Sequence, residues 1–170
     1  MKITVFISVG FLILLFFLTI TCQTVNPEER YGFMLDQYLK AWNTGDVDIL
    51  DDVVAEQFEL RMTPHYTAKT GLDSLKHEIR SLRTAYPDFR ITINETVYSE
   101  KAVTARWTIR ATNTGAGSHP PTGKEIEVPG MSLLHLANGK IQDEWIANNN
   151  IVWLNQLGFT LHAPAEMKTE

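Results

Sequence analysis

The sequence predicts an α+β fold, a cone-shaped α+β barrel in which N-terminal helices pack in a strongly curved, mainly antiparallel sheet. Two observations support this prediction. Apolar residues recur at helical spacing in the first half of the chain, and four segments suited to long strands follow from residue 89 to residue 149. A length of 170 residues is enough for one domain with a substantial core.

Residues 1–21 differ in composition from the rest of the chain. Nearly every residue from Ile3 to Ile20 is apolar, and Cys22 follows directly. An apolar run that ends at a lone cysteine is typical of a bacterial lipoprotein signal, so we expect 1–21 to be a signal peptide and Cys22 to be lipidated. An uncleaved anchor and a conventionally cleaved signal are the alternatives. The protein is therefore expected to be exported and membrane-anchored, on the periplasmic or cell-surface side.

The predicted domain occupies residues 28–158, between a tether at 22–27 and a C-terminal tail at 159–170. Its first helix begins at an acidic pair, which suits the positive end of a helix dipole. One face of this helix is expected to be buried, because its apolar residues follow i, i+3, i+4, i+7 spacing: Tyr31, Met34, Leu35, Tyr38, Leu39 and Trp42. A short second helix through Val54 precedes a strand in which Phe58, Leu60 and Met62 alternate.

The second half of the domain is predicted to supply most of the sheet. Residues 64–70 are expected to form a polar loop and 71–86 a third helix. Strands follow at 89–98, 103–114, 125–137 and 140–149. Asn138 and Gly139 are a strong hairpin signal between the last two strands, and a closing helix is expected at 151–157. A curved sheet wrapped over helices leaves an apolar interior in which a small molecule would bind.

Four pieces of the chain are distinctive: YPDFRITI from Tyr86, PPTGK from Pro120, LANGKIQDEW from Leu136 and QLG from Gln156. Together they resemble the SnoaL-like polyketide cyclase and ester cyclase family, part of the nuclear transport factor 2-like superfamily. The resemblance covers about residues 30–158. It implies a cystatin-like cone, a pocket for a small molecule without a cofactor, and a homodimer formed through the sheet.

The family typically carries an aspartate four residues after the tryptophan of its last strand, as the proposed general acid or base of an aldol closure. Here Trp145 is followed at that spacing by Asn149. An amide cannot take up the proton, although it donates and accepts hydrogen bonds. We expect Asn149 to line the pocket and contact a ligand; a turn-forming role is the alternative. Asn113 likewise replaces a histidine that family members often carry.

His65 and Asp143 are the remaining candidates for a non-standard acid or base. His65 follows the first strand, where it could face the mouth of the cone. Strand side chains alternate, so Asp143 is expected to share a face with four other residues: Ile141, Trp145, Ala147 and Asn149. A surface histidine and a solvated strand-end acid are the alternative interpretations of these two residues.

Large side chains are expected to line the cone together with Asn149. The predicted ligand-binding set is Tyr38, Trp42, Phe58, Met62, Trp107, Met131, Trp145, Asn149 and Trp153. Core packing is the alternative, because a core and a cone interior use the same residue types. The histidines and acids show no HExxH or HxH spacing, so no metal site is predicted. A net charge of −5 argues against a nucleic-acid partner.

Three hypotheses for function follow. The first is a pocket that binds a small hydrophobic or polyketide-like molecule without turnover, because the family aspartate and histidine are both replaced. The second is an enzyme of cyclase, isomerase or dehydratase type that uses His65 or Asp143. The third is a dimeric, membrane-tethered assembly module in which the pocket is incidental.

Overall fold

The computed structural model describes residues 26–62, 65–160 and 162, and for 65–67 the backbone alone. The helices are α1 (Pro27–Thr44), α2 (Leu50–Val53), α3 (Leu72–Ala85) and α4 (Asn150–Leu157), with a 3₁₀ turn at Val47–Ile49. The strands are β1 (Val54–Met62), β2 (His65–Thr70), β3 (Arg90–Tyr98), β4 (Ala102–Thr112), β5 (Glu125–Ala137) and β6 (Lys140–Asn148). The predicted signal peptide and Cys22 lie outside the described residues.

The six strands form one sheet in the order β2-β1-β6-β5-β4-β3. Every neighbouring pair is antiparallel except β1 and β6, which run parallel. The curved sheet packs around α1, so the predicted α+β cone is confirmed. The sheet does not close, because β2 and β3 remain its two edges, and the cone is therefore open rather than a complete barrel.

The prediction of a polar loop at 64–70 is wrong, because this segment contains strand β2. Its backbone pairs antiparallel with β1, with Glu59 opposite Thr70 and Leu60 opposite Lys69. Period-two alternation identifies a strand only when one of its faces is buried. An edge strand rich in polar residues lacks that signal, and its pairing with β1 decides its conformation.

Helix α1 is fixed at both ends and along its length. The side chain of Asn26 accepts a hydrogen bond from the backbone N–H of Glu28 at 3.1 Å and so caps the first turn. Gly45 ends the helix with φ of +80°, which glycine adopts without strain. Asn43 joins the helix to edge strand β3: its Nδ2 donates to Ile91 O at 3.0 Å, and its Oδ1 accepts from Ile91 N at 2.7 Å.

No helix within the described part of the chain is long and apolar enough to cross a membrane. The core lies between the concave face of the sheet and the helices, and the short helix α2 contributes to it. Its largest fully buried side chains include Phe58, Leu50, Ile79 and Phe89. This core positions α1 across the sheet, and the site described next lies between the two.

Candidate functional site

A small cavity lies between α1 and the concave face of the sheet, with a volume of about 60 Å³. Buried side chains form its wall: Leu35, Tyr38, Trp42, Ala105, Trp107, Ser132, Leu134 and Glu144. Half-buried side chains form its rim: Leu39, Ile91, Ile93 and Ile146. The wall is apolar over most of its surface, and the rim places the opening among α1, β3 and β6.

Four polar side chains in the cavity wall form two hydrogen-bonded pairs. The hydroxyl group of Tyr38 donates to Oε2 of Glu144 at 2.6 Å, and the indole Nε1 of Trp107 donates to Oγ of Ser132 at 2.8 Å. Ser132 pairs with Ile146 of β6, two residues from Glu144, so the two hydrogen-bonded pairs lie side by side in the wall. Glu144 is 4% exposed, so a carboxyl group lies at the centre of an apolar cavity with its polar partners already in place.

Burial determines the acid–base behaviour of Glu144 and Tyr38. It raises the pKa of Glu144 above the ordinary value of 4.5, while the hydrogen bonds of Ser132 and Tyr38 oppose the increase. Burial also raises the pKa of Tyr38 well above 10.0, and the nearby Glu144 charge adds to this effect. A carboxylate with a raised pKa is a better proton acceptor near neutral pH, and Tyr38 keeps its proton as a hydrogen-bond donor.

We expect wild-type protein to lose stability, relative to the Glu144→Gln variant, as the pH rises from acidic to neutral. The native state holds this proton more tightly than the unfolded chain does. The stabilisation is therefore fully present below the unfolded-state pKa, near 4.5, and is lost as the pH rises through the native pKa. Urea unfolding of both proteins across this range measures the difference. A difference that does not change with pH would contradict a buried, titrating Glu144.

A β-bulge in β6 turns Glu144 toward the cavity. Gln142 is an extra residue between Ile141 and Asp143, which pair with successive residues of β5. One extra residue reverses the faces to which the following side chains point. Ile141 before the bulge and Glu144 after it are consequently both buried, although they are three positions apart.

The predicted common face is wrong for Ile141, because the bulge separates it from Asp143, Trp145 and Ala147, which do share a face. Ile141 points inward, whereas Asp143 and Trp145 point to the outer surface of the sheet. There Asp143 Oδ1 lies 2.7 Å from Nδ1 of His135. The guanidinium group of Arg61 lies over the ring of Trp145 at 5.1 Å.

Three of the nine residues predicted to bind a ligand lie in the cavity wall: Tyr38, Trp42 and Trp107. Phe58 packs behind Tyr38, with their ring centroids 6.4 Å apart. Met62 is half-buried and packs against the core from the end of β1. The aromatic residues of α1 and β4 therefore meet in one place, as the cone prediction requires.

The other predicted residues lie away from the cavity. Met131 is 49% exposed on the outer face of the sheet, next to the strand of Trp145. Trp153 donates from Nε1 to the hydroxyl group of Tyr86 at 2.9 Å, on the far side of α4 from solvent. His65 begins β2, and its side chain lies outside the described part.

Asn149 lies at the junction of β6 and α4. Its Oδ1 accepts a hydrogen bond from the backbone N–H of Val152 at 3.1 Å, so its side chain caps α4. Asn149 is exposed and is not among the residues of the cavity wall or rim. This geometry matches the turn-forming alternative considered for Asn149.

Asn113 is buried and holds the loop between β4 and β5. Its Oδ1 accepts hydrogen bonds from N and Oγ1 of Thr122, at 2.9 and 3.1 Å, and its Nδ2 donates to Ala85 O at 3.4 Å. The Asn113 side chain therefore has structural partners on two sides, in the loop and in α3.

Neither Glu144 nor Ser132 is identified from the sequence. Ser132 carried a signal, because it is the one hydroxyl-bearing residue in the inward alternation of β5 between Val128 and Leu136. Glu144 carried none, because its direction depends on the bulge at Gln142. No group of three or more His, Cys, Asp or Glu side chains within the described part could hold a metal ion.

Comparison with protein families agrees with this architecture. The sequence profile of SnoaL-like polyketide cyclases matches residues 33–157. None of the curated proteins compared with the chain matches it. The resemblance inferred from the four sequence pieces is therefore confirmed at the level of the family.

Solved structures show the same fold. A protein of Jannaschia sp. CCS1, assigned as a SnoaL-like polyketide cyclase, superposes with a TM-score of 0.73 at 13% identity, covering 81% of this chain and 97% of its own. TsrD from Streptomyces laurentii gives a TM-score of 0.71 at 19% identity, covering 79% and 98%. AclR from Streptomyces galilaeus, assigned as a hydroxylase, gives 0.69 at 21% identity, covering 82% and 87%.

At these identities the structural likeness shows the fold alone. The profile match supplies the family, and it spans α1 to α4 and hence the whole cavity. The chain belongs to the SnoaL-like polyketide cyclase family of the nuclear transport factor 2-like superfamily.

Proposed function

We propose that the cavity binds a small, largely apolar molecule that carries a carbonyl or hydroxyl group. One observation supports this proposal above all others: the apolar wall contains a single polar cluster, centred on Tyr38 and Glu144, among the residues that the structure describes. Pockets of this kind take their affinity from apolar contact and their specificity from a few polar groups. In this proposal, the contribution of Asn149 is to the fold, because its side chain caps α4.

The dimensions of the cavity limit the ligand. Pockets for drug-sized molecules typically measure about 300–1,000 Å³, whereas this one measures about 60 Å³. The two hydrogen bonds of Asn43 hold Ile91, a rim residue, against α1. A ligand of a few carbon atoms fits this arrangement, and a polyketide-sized ligand requires the rim side chains to move apart.

A binding experiment with two tyrosine variants tests this proposal. We expect small apolar ketones and alcohols to bind, as measured by ligand-observed NMR, and to bind at least about fivefold more weakly to Tyr38→Phe, which lacks one hydrogen-bond donor. Tyr31→Phe is the matched control: its hydroxyl group also makes one hydrogen bond from α1, to Glu100 O at 2.7 Å. Equal losses in both variants, or equal binding of the parent hydrocarbons, would contradict the proposal.

A second function, acid–base turnover, is favoured by the buried carboxyl group of Glu144. In this reaction the Glu144 carboxylate takes a proton from the carbon next to the ligand's carbonyl group, and the C–H electron pair moves onto the carbonyl oxygen. Once Glu144 is protonated, the hydroxyl hydrogen of Tyr38 turns from the Glu144 carboxyl group to the enolate oxygen. Return of the proton to the same carbon, or to another one, completes exchange or isomerisation. Glu144 thereby replaces Asp143 and His65 as the principal candidate base.

Attachment to a membrane is a further part of the proposal, and the sequence of residues 1–22 supports it. A fatty-acid label supplied to the expressing cells is expected to enter the full-length chain and to be lost in Cys22→Ser. Labelling that persists in Cys22→Ser would exclude Cys22 as the lipidated residue.

We also propose that two copies of the protein form a homodimer through the outer face of the sheet. The outer face exposes Met131 and Trp145, large apolar side chains of a kind enriched at interfaces. Sedimentation of the detergent-solubilised full chain is expected to give the mass of two copies. A single-copy mass at high protein concentration would contradict the dimer and leave the cavity proposal unaffected.

A further inference from the structure

Three of the four residues on the cavity rim lie where helix α1 meets edge strand β3, a line of contact that we call the α1–β3 seam. Leu39 belongs to α1, and Ile91 and Ile93 belong to β3. Strand β3 is the last strand of the sheet, so β4 is its one strand neighbour. A ligand that enters between these rim residues has to push their side chains aside or separate α1 from β3.

Asn43 joins the two sides of the seam in the way that a neighbouring strand would. Its side-chain amide donates from Nδ2 to Ile91 O at 3.0 Å and accepts at Oδ1 from Ile91 N at 2.7 Å. A planar amide group holds a donor and an acceptor side by side, so it can satisfy both backbone groups of one residue. Asn43 therefore covers the free edge of β3 at a residue of the cavity rim.

The apolar side chains of the rim are a smaller obstacle to a ligand than this pair of hydrogen bonds. Leu39, Ile93 and Ile146 are half-buried, and such side chains change rotamer rapidly. Moving Ile91 away from α1 would instead leave its backbone N–H and C=O and the half-buried amide of Asn43 without their partners, which costs free energy.

A separate side chain fixes the end of the seam next to Asn43. The guanidinium group of Arg83, from α3, donates from Nη1 to Phe89 O at 2.9 Å and to Trp42 O at 3.2 Å. Phe89 directly precedes β3, and Trp42 directly precedes Asn43. Loss of the Asn43 amide is therefore expected to loosen the rim while α1 stays attached to the sheet through Arg83.

We infer that Asn43 controls access to the cavity and thereby sets the size of the largest ligand that the cavity accepts. While its two hydrogen bonds hold, the seam stays closed around a cavity of about 60 Å³. A larger ketone or alcohol binds only when the seam opens, and the free energy of opening reduces its affinity. The inference rests on the function proposed above and deepens it, since it assigns the residue that selects ligands by size. Asn43 is a positioning residue, because it acts through Ile91.

The first measurement uses the full chain without any ligand. The indole N–H of Trp107 donates to Ser132 inside the cavity wall, and Trp107 is 4% exposed, so this hydrogen exchanges with deuterated water only when the cavity opens. Its NMR signal is identified by its absence from Trp107→Phe. In Asn43→Ala, we expect its exchange to be about tenfold faster relative to that of the backbone amides of β4. These amides report unfolding of the whole domain, because β4 is paired on both sides.

Gln156 supplies a matched control in another part of the sheet. Its half-buried amide makes the same pair of hydrogen bonds, from Glu127 N at 2.8 Å and to Glu127 O at 3.0 Å, but it does not line the cavity. Gln156→Ala is expected to leave Trp107 exchange unchanged. Asn43→Asp and Gln156→Glu repeat the comparison at unchanged side-chain size, since a carboxylate cannot donate to a backbone oxygen. The inference is overturned if neither Asn43 variant speeds exchange, or if the Gln156 variants speed it equally.

The second measurement compares the binding of butanone and dibutyl ketone by ligand-observed NMR. The dissociation constant of dibutyl ketone divided by that of butanone is expected to be about tenfold smaller in Asn43→Ala than in wild type, and unchanged in Gln156→Ala. An unchanged ratio in Asn43→Ala would overturn the role of Asn43 in size selection. If Trp107 exchange responds as expected but neither ketone binds to any of the proteins, the proposed function alone is refuted and control of access by Asn43 stands.

Discussion

Replacing Glu144 with glutamine is expected to reduce proton exchange next to a ligand's carbonyl group by at least about 100-fold, the usual contribution of a general base. Glutamine has nearly the same size and retains one acceptor oxygen, but it cannot take up a proton. The rate is read by NMR, as the loss of the signal of a ketone's α-proton in deuterated buffer containing full-length protein.

The Asp143→Asn variant gives the comparison that identifies the base. It makes the same chemical change one residue earlier, on the outer face of the sheet, where Asp143 contacts His135. We expect its exchange rate to stay within about twofold of wild type, since a change remote from the cavity is close to neutral. A large loss in Asp143→Asn with little loss in Glu144→Gln would restore the base predicted from the sequence and reject Glu144.

Replacing Gly130 with alanine is expected to lower the free energy of unfolding by about 2–3 kcal/mol, as is typical when a packed core receives an extra carbon atom. The new β-carbon would occupy the space of the Trp107 ring, with Cζ2 at 2.6 Å and other ring atoms closer still. Trp107 is 4% exposed, so its ring has little room to withdraw. Urea unfolding followed by circular dichroism measures the loss.

A second glycine provides the control for this substitution. Gly32 lies within α1, and a β-carbon there would meet only the Tyr98 hydroxyl group, at 3.9 Å. Alanine is favoured over glycine inside a helix, so Gly32→Ala is expected to raise stability by about 0.5–1 kcal/mol. If Gly130→Ala is as stable as wild type, the close approach of Trp107 to β5 is refuted.

Asn149, where the resemblance led us to expect an aspartate, has a structural role in this protein. The amide oxygen of Asn149 caps α4, and an aspartate would serve equally well as a cap. The cavity carboxyl group instead lies five residues earlier on β6, where the bulge turns it inward. An Asn149→Asp change is therefore expected to leave α4 stable, and acid–base function in our proposal depends on Glu144.

Much of the fold was determined by the sequence alone, because local patterns specify it. The apolar spacing from Tyr31 to Trp42 predicted α1, and the predicted strand at 125–137 coincides with β5. The Asn-Gly pair predicted the hairpin between β5 and β6, where Asn138 and Gly139 both adopt positive φ. These features depend on residues that are close in sequence, so local sequence patterns are enough to predict them.

The centre of the site was decided by tertiary structure. The bulge at Gln142 arises from the pairing of β6 with β5, and it alone turns Glu144 into the cavity and Asp143 out of it. The segment 65–70 is a strand for a related reason, because its backbone pairs with β1. Strand register is fixed by partners distant in sequence, and a shift of one residue exchanges the buried and exposed faces. The sequence therefore determined the family and the cone, and strand pairing determined which carboxyl group lies inside it.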